Sequence, residues 1–270
     1  MRLSLFAPID AWRAPPPKPR KVAWIGGGRL FAHRGLHGDG VPENSPAAFA
    51  AAMARGFGIE CDVQRTHDGE AVVFHDWELD RLTGESGPVA ERTAAQLGGV
   101  VLSGGVDPIP TLRQVLEQVA GAVPILIEVK SRRERGVQVL CRAVRHVLEG
   151  YRGDHAVMSF DPRVSCWFAD RSPQTVRGLV VTEENARTLG GRLRRHAALW
   201  HARPDFLAYD IRDLPSAFAA AQRLRGLPVA SWTVRSPELR ERAALHADAP
   251  IAEGPGIPQQ RAIPEEDGVF

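Results

Sequence analysis

Nineteen residues, Gly58 to Asp76 (GIECDVQRTHDGEAVVFHD), place two carboxylates, a turn and a histidine within reach of one another. Glu60 and Asp62 stand two apart in a run with Ile59, Cys61 and Val63, so on a strand both carboxylates share one face and Cys61 takes the other. Asp68-Gly69 predicts a tight turn, and Ala71 to Phe74 a returning strand that ends in His75 and Asp76. The two-residue spacing recurs at Glu128 and Lys130, which close the near-continuous apolar run PILIEVK. His33 and Arg34 close a third run, Leu30-Phe31-Ala32.

Converging carboxylates repel, at about 4 kcal/mol for a pair roughly 4 Å apart at an effective dielectric of 20. Arg34 and Lys130 offset part of that. A hard divalent cation, Ca²⁺ or Mg²⁺, held by Glu60, Asp62 and Glu128 accounts for the rest, whereas zinc lacks its usual soft partners. His33 and His75 are then imidazoles able to take or give a proton near neutral pH. A cation, two acid-base groups and basic side chains together suit phosphoryl chemistry. Taken singly, a histidine at a strand end is more often structural and a Glu-x-Asp more often surface; their joint occurrence at predicted strand ends favours a site. Trp232 reads equally as a ring stacked on substrate or as barrel wall, and Glu43, Asn44 and Asp76 as orienting groups. His37, His67, His146, His155, His196, His201 and His246 join no constellation.

The elements that must position these groups alternate. Ser45-Pro46 starts a helix with Phe49 and Ala52 on its inner stripe, and Thr111 with Gln114 forms a capping box ahead of Leu112, Val115, Leu116 and Val119. The link from Thr66 to Ala71 is too short for a parallel crossover, so Ala71 to His75 is a hairpin arm and not a barrel strand. Strands beginning at Leu30, Gly58, Pro124, Ala156, Arg177, Phe206, Pro228 and Ala249 then number eight, with helices between them, including an arginine-rich one near Ala186 to Leu199. That pattern predicts an α/β fold, a (β/α)₈ TIM barrel with a hairpin and a small insertion, about residues 77–110, between the second and third barrel strands. An insertion of that length and composition reads as lying over the barrel mouth, with a short helix near Glu91 to Leu97. Residues 1–28, rich in proline and basic side chains, read as an N-terminal extension on the surface of the domain at 29–270.

The chain of 270 residues carries 34 basic and 32 acidic side chains, a balance that argues against a nucleic-acid partner. The runs Arg132 to Arg135 and Arg192 to Arg195 read as solvated helix faces. Cys61, Cys141 and Cys166 show no close pairing and fit reduced thiols in a cytoplasm. No apolar run nears the about 20 residues of a membrane span, and Asp10, Trp12 and prolines 15 to 17 break any secretory core, so no stable membrane insertion is expected. Oligomeric state is not legible.

The succession FAHRG, PENS, ECDV, THDG, VVFHD, RLTG, IPTL, IEVK, MSFD and SWTV, across about residues 31 to 255, resembles the glycerophosphodiester phosphodiesterase family. The resemblance implies a TIM barrel that hydrolyses small glycerophosphodiesters to an alcohol and glycerol 3-phosphate with a divalent cation. It assigns His33 and His75 as general base and general acid, Glu60, Asp62 and Glu128 as metal ligands, and Lys130 as the lysine two beyond the third carboxylate. Arg34 follows the first histidine in the matching motif; beside the resemblance, the residues themselves give Arg34, Lys130 and Trp232 as the expected substrate-binding set. Two positions depart from the family pattern: the last strand ends Ala252-Glu253-Gly254-Pro255 where Thr-Asp is usual, and Arg235 follows WTV where Asn is frequent. Rival readings are a lysophospholipase D or phospholipase C-like phosphodiesterase on lipid substrates, and a phosphate-binding barrel without catalysis. A metal-dependent aldolase would have no use for the second histidine.

Overall fold

The computed structural model describes residues 6–132, 136–184 and 188–259. Arg133, Glu134 and Arg135 of the expected basic run, and Ala186 at the expected start of the arginine-rich helix, lie outside the described residues. Nine strands are described: β1 (Phe31–Ala32), β2 (Gly58–Arg65), β3 (Ala71–Val73), β4 (Ile125–Val129), β5 (His155–Ser159), β6 (Val176–Val181), β7 (Phe206–Asp210), β8 (Val229–Val234) and β9 (Ala249–Ala252). All pair in parallel except β3, which runs antiparallel on β2 with Val63 opposite Val73 and Arg65 opposite Ala71. β1 bonds to both β2 and β9, so the eight parallel strands close into a barrel.

The helices are α1 (Ala7–Arg13), α2 (Pro19–Val22), α3 (Pro46–Ala54), α4 (Ala94–Leu97), α5 (Leu112–Val119), α6 (Gln138–Leu148), α7 (Pro162–Arg171), α8 (Leu189–Ala202), α9 (Ala217–Leu224) and α10 (Pro237–His246). Their starts follow from local chemistry. Ser45 accepts from the Ala48 N–H with Pro46 at the first helical position, Thr111 and Gln114 cap reciprocally, and Asp161 caps α7 ahead of Pro162. Outward strand residues such as Cys61, Val63, Ile125 and Ile127 pack with Phe49, Val115, Leu140 and Val144 of the surrounding helices. Inward residues, Phe31, Leu126, Ala156, Phe206, Ala230 and Ile251, fill the barrel itself. Gly58 and Gly178 are bare because the Phe31 and Phe206 rings occupy the space that a Cβ would need. Among the described residues no helix is long and apolar enough to cross a membrane.

The insertion carries the short helix α4 and a core of its own. Leu79, Val89, Leu97, Val100, Leu102 and Ile109 form a small core of their own with Val72 and Phe74 of the hairpin arm. Local bridges hold it together, Glu78 with Pro88 and Thr83 with Leu102. Periodicity misses it because these contacts join turns and bridges and not one helix or strand face.

The N-terminal segment enters the fold from the opposite end. Val22 and Ile25 join the apolar residues that fill the barrel, and Asp10 of α1 is fully buried against α8 and α9. Its carboxylate accepts from His196 Nδ1, Trp200 Nε1 and Gln222 Nε2, each at 2.8 Å. Burial opposes ionisation of Asp10, but these three donors more than offset it and hold its pKa below the ordinary value. Asp10→Ala strands three buried donors and is expected to cost about 3 kcal/mol or more, roughly 6–12 °C in melting temperature. The depressed pKa means this contribution is present above about pH 4 and fades as pH falls through the folded-state value. Urea unfolding of the wild type and Asp10→Asn at pH 7 and below pH 4 checks the sign: the gap between them should narrow in acid.

Candidate active site

Register brings the site together at the carboxyl ends of the strands. β2 and β4 align Asp62 with Glu128, and the period of two keeps Glu60, Asp62, Glu128 and Lys130 on the inner side while Cys61 turns outward into the apolar layer. One ligand oxygen from each of Glu60, Asp62 and Glu128 lies within 4.8 Å of the others. His33 follows β1 by one residue, and Arg34 (φ 55°) and Gly35 (φ 78°) turn the chain sharply behind it. A Cβ on Gly35 would come within 2.7 Å of the Ala48 Cβ, so the turn needs glycine. The hairpin arm continues past β3, with Phe74 N–H donating to Asp62 O, and carries His75 to the same cavity. That cavity, of about 180 Å³, is lined by His33, Arg34, the three carboxylates, His75 and Lys130, and beyond them by Phe160, Trp232 and Arg235.

Charge is balanced at short range. Lys130 Nζ lies 3.3 Å from Asp62 Oδ1 and 3.2 Å from Glu128 Oε1, and Arg34 Nε lies 3.2 Å from Asp62 Oδ2. The Arg34 backbone N–H donates to Glu60 at 3.1 Å, and Asn44 Nδ2 to Asp62 at 3.1 Å. Burial, and then the charges of Asp62 and Glu128, push the Glu60 carboxyl well above its usual range. Burial disfavours ionised Asp62 as well, but Lys130 and Arg34 overcome it and hold that carboxyl low. Two cations against three carboxylates leave a deficit of one positive charge, felt most at Glu60, whose oxygens neither cation pairs with directly. An oxygen-lined, buried cluster with that deficit fits a divalent cation.

Both histidines have their Nδ1 engaged. His75 Nδ1 lies 2.6 Å from Asp76 Oδ1, and Arg81 of the insertion grips Asp76 through Nε at 2.5 Å and Glu43 through Nη2 at 2.8 Å. Glu43 in turn accepts from Arg34 Nη1 at 2.8 Å, so Arg81 ties the hairpin arm to the Arg34 turn. Arg81, with burial in opposition and His75 adding to it, holds Asp76 far below the carboxylate range. Burial lowers the pKa of both imidazoles, partly countered at His33 by Glu253 and at His75 by Asp62. His33 Nδ1 is in hydrogen-bond contact with Glu253 Oε2, and His33 Nε2 lies 4.0 Å from Glu60 Oε2. Trp232 donates from Nε1 to Ala208 O at 2.9 Å, meets Phe160 edge to face at 5.3 Å and lines the cavity with it.

Sequence reasoning left out Glu253, Arg81 and His37, whose Nε2 lies 3.4 Å from Glu253 Oε2. A signal for Glu253 did exist: it stands two beyond the inward Ile251, so the same parity that exposed Glu60 and Asp62 points it inward. Arg81 carried no such signal, because it lies in the aperiodic insertion.

Residues 33–252 match the model of the Glycerophosphoryl diester phosphodiesterase family. The probable glycerophosphodiester phosphodiesterase 2 of Mycobacterium tuberculosis is 32% identical over 260 residues, covering 84% of this chain and 93% of that protein. The glycerophosphodiester phosphodiesterase of Bacillus altitudinis is 38% identical over 109 residues, which span 38% of this chain and 44% of that one. Among solved structures, an Oleispira antarctica phosphodiesterase in complex with the product sn-glycerol-3-phosphate superposes with a TM-score of 0.75 at 22% identity, over 86% of this chain and 94% of that one. With a (β/α)₈ barrel, the clustered site and a family match over most of its length, this chain belongs to the glycerophosphoryl diester phosphodiesterase family.

Proposed function

We propose that this protein hydrolyses glycerophosphodiesters to an alcohol and glycerol 3-phosphate, with Ca²⁺ or Mg²⁺ held by Glu60, Asp62 and Glu128. One observation carries the reading: three carboxylates, two imidazoles and two cationic side chains line one cavity of a barrel whose family is defined by this activity. The bound cation would supply charge neutralisation and polarise a phosphate oxygen.

Arg34 and Lys130 bind the phosphate's anionic oxygens, and Trp232 offers a ring face to the carbon skeleton. His33, kept neutral by burial, takes the proton from the attacking oxygen, either water or the substrate's own glycerol hydroxyl. As the new P–O bond forms, the bond to the alcohol breaks and His75 delivers a proton to the departing oxygen. Asp76 is held ionised and can then only accept, so His75 Nδ1 carries the hydrogen there and Nε2 is left for this transfer. Arrival of the anionic phosphate favours the protonated form of His75. If attack is by the glycerol hydroxyl, water then opens the cyclic phosphate and completes the hydrolysis. The free cysteines, two of them buried, fit a reducing cytoplasm.

The test is release of glycerol 3-phosphate from glycerophosphocholine, glycerophosphoethanolamine and glycerophosphoinositol, with release of choline from lysophosphatidylcholine measured alongside. Each is assayed after chelation and again with Ca²⁺ or Mg²⁺ restored. Release from at least one short diester, lost on chelation and recovered with one ion, is the expected result. Activity confined to the acylated substrate would move the reading to a lysophospholipase D, and binding without product to a barrel without catalysis.

A further inference from the structure

We infer that Glu253 is the positioning residue of His33, fixing its tautomer and aiming Nε2 at the reacting oxygen. The inference rests on His33 acting as the base in the reaction proposed above.

Register makes the two neighbours. β1 and β9 pair Ala32 with Ala252, and His33 N–H donates to Ala252 O at 2.9 Å, so the next residue on each strand, His33 and Glu253, stands side by side though 220 positions apart. Both point inward by the parity of Phe31 and Ile251. Glu253 Oε2 contacts His33 Nδ1, and an ionised carboxylate can only accept, so the hydrogen is on Nδ1 and the lone pair on Nε2. Nε2 faces the carboxylate cluster, 4.0 Å from Glu60 Oε2.

The second carboxylate oxygen is occupied too: Arg235 Nε donates to Glu253 Oε1 at 2.5 Å. The two departures from the family pattern, Glu253 and Arg235, therefore meet in one ion pair. That pair alone does not explain Glu253, because Arg235 is 60% exposed and a screened surface pair stabilises little, whereas His33 is enclosed. The arrangement gives each proposed acid-base histidine a carboxylate at Nδ1, itself held by an arginine: Arg235, Glu253 and His33 on one side, Arg81, Asp76 and His75 on the other.

Steady-state hydrolysis of glycerophosphocholine by the full chain decides the matter, with wild type, Glu253→Gln, Glu253→Asp, His33→Ala and the His33→Ala/Glu253→Gln pair. Glu253→Gln should lower kcat by about 10²- to 10⁴-fold, with KM within about threefold and the melting temperature little moved. Glu253→Asp keeps the carboxylate and should recover at least about tenfold of that loss. In the His33→Ala background Glu253→Gln should cost almost nothing further, since its effect passes through the imidazole. Long-range ¹H–¹⁵N spectra of the imidazoles should show His33 protonated at Nδ1 in the wild type and redistributed between the nitrogens in Glu253→Gln. Unchanged kcat in a folded Glu253→Gln, or an equal loss with and without His33, overturns the inference. If the wild type released no glycerol 3-phosphate while the imidazole spectra still shifted as stated, the proposed reaction would fall and the tautomer assignment would stand.

Discussion

Replacing His75 by alanine is expected to cut turnover of a glycerophosphodiester by about 10²- to 10⁴-fold, and His33→Ala by a similar factor, with KM changed far less. Proton transfer is worth most in the transition state, while phosphate binding by Arg34 and Lys130 survives either change. Leaving-group chemistry separates the two roles. A nitrophenyl ester of glycerol phosphate expels a phenolate that needs little protonation, so the loss in the acid variant should shrink by about tenfold or more, and that in the base variant should not. With His75 as acid, His75→Ala recovers on this substrate and His33→Ala does not. The opposite pattern exchanges the roles, and two variants with wild-type turnover on glycerophosphocholine would remove the two-histidine scheme. Neither variant should unfold the protein. His75 sits on an arm braced by Arg81 and the insertion core, and the turn after His33 is held by Gly35 packing and the Arg34 ion pairs.

What the sequence made legible was whatever two or three neighbouring residues decide. Glu60-x-Asp62 and Glu128-x-Lys130 declare their common face through strand parity, and Asp68-Gly69, with Gly69 at φ 88°, declares the hairpin that brings His75 back. The caps at Ser45 and Thr111 declare where helices begin. Closure of the barrel was also legible, because eight strand-helix units leave few other ways to bury the inward faces. Hidden contacts depend on register between distant strands or on single long side chains. Glu253 reaches His33 only because β9 closes onto β1 in a particular alignment. Arg81 reaches both Asp76 and Glu43 only because the insertion folds on its own small core. Asp10 meets His196 across 186 positions, through helix packing that no local pattern announces.

Neutralising one ligand should separate the cost to chemistry from the cost to the fold, and Glu60→Gln is the sharpest case. Its carboxyl is already the one that burial and the charges of Asp62 and Glu128 drive toward the protonated state. Without metal, removing that charge relieves repulsion, so the variant should be as stable as the wild type or more so in the presence of chelator. With metal the order reverses. Saturating Ca²⁺ or Mg²⁺, at about 100 times its dissociation constant, should stabilise the wild type by about 2.7 kcal/mol, roughly 5–11 °C in melting temperature. Glu60→Gln, with two carboxylates left, should gain much less, and its turnover should fall on the order of 10³-fold. Asp62→Asn should lose as much activity but behave differently in the apo state: it leaves Lys130 and Arg34 short of a partner, so chelated Asp62→Asn should melt below chelated wild type. Melting curves of the three proteins with chelator and with each ion test this. An ion-induced shift in Glu60→Gln as large as the wild type's would place the cation elsewhere, and a strong loss of apo stability in Glu60→Gln would mean that its carboxylate serves the fold and not the ion.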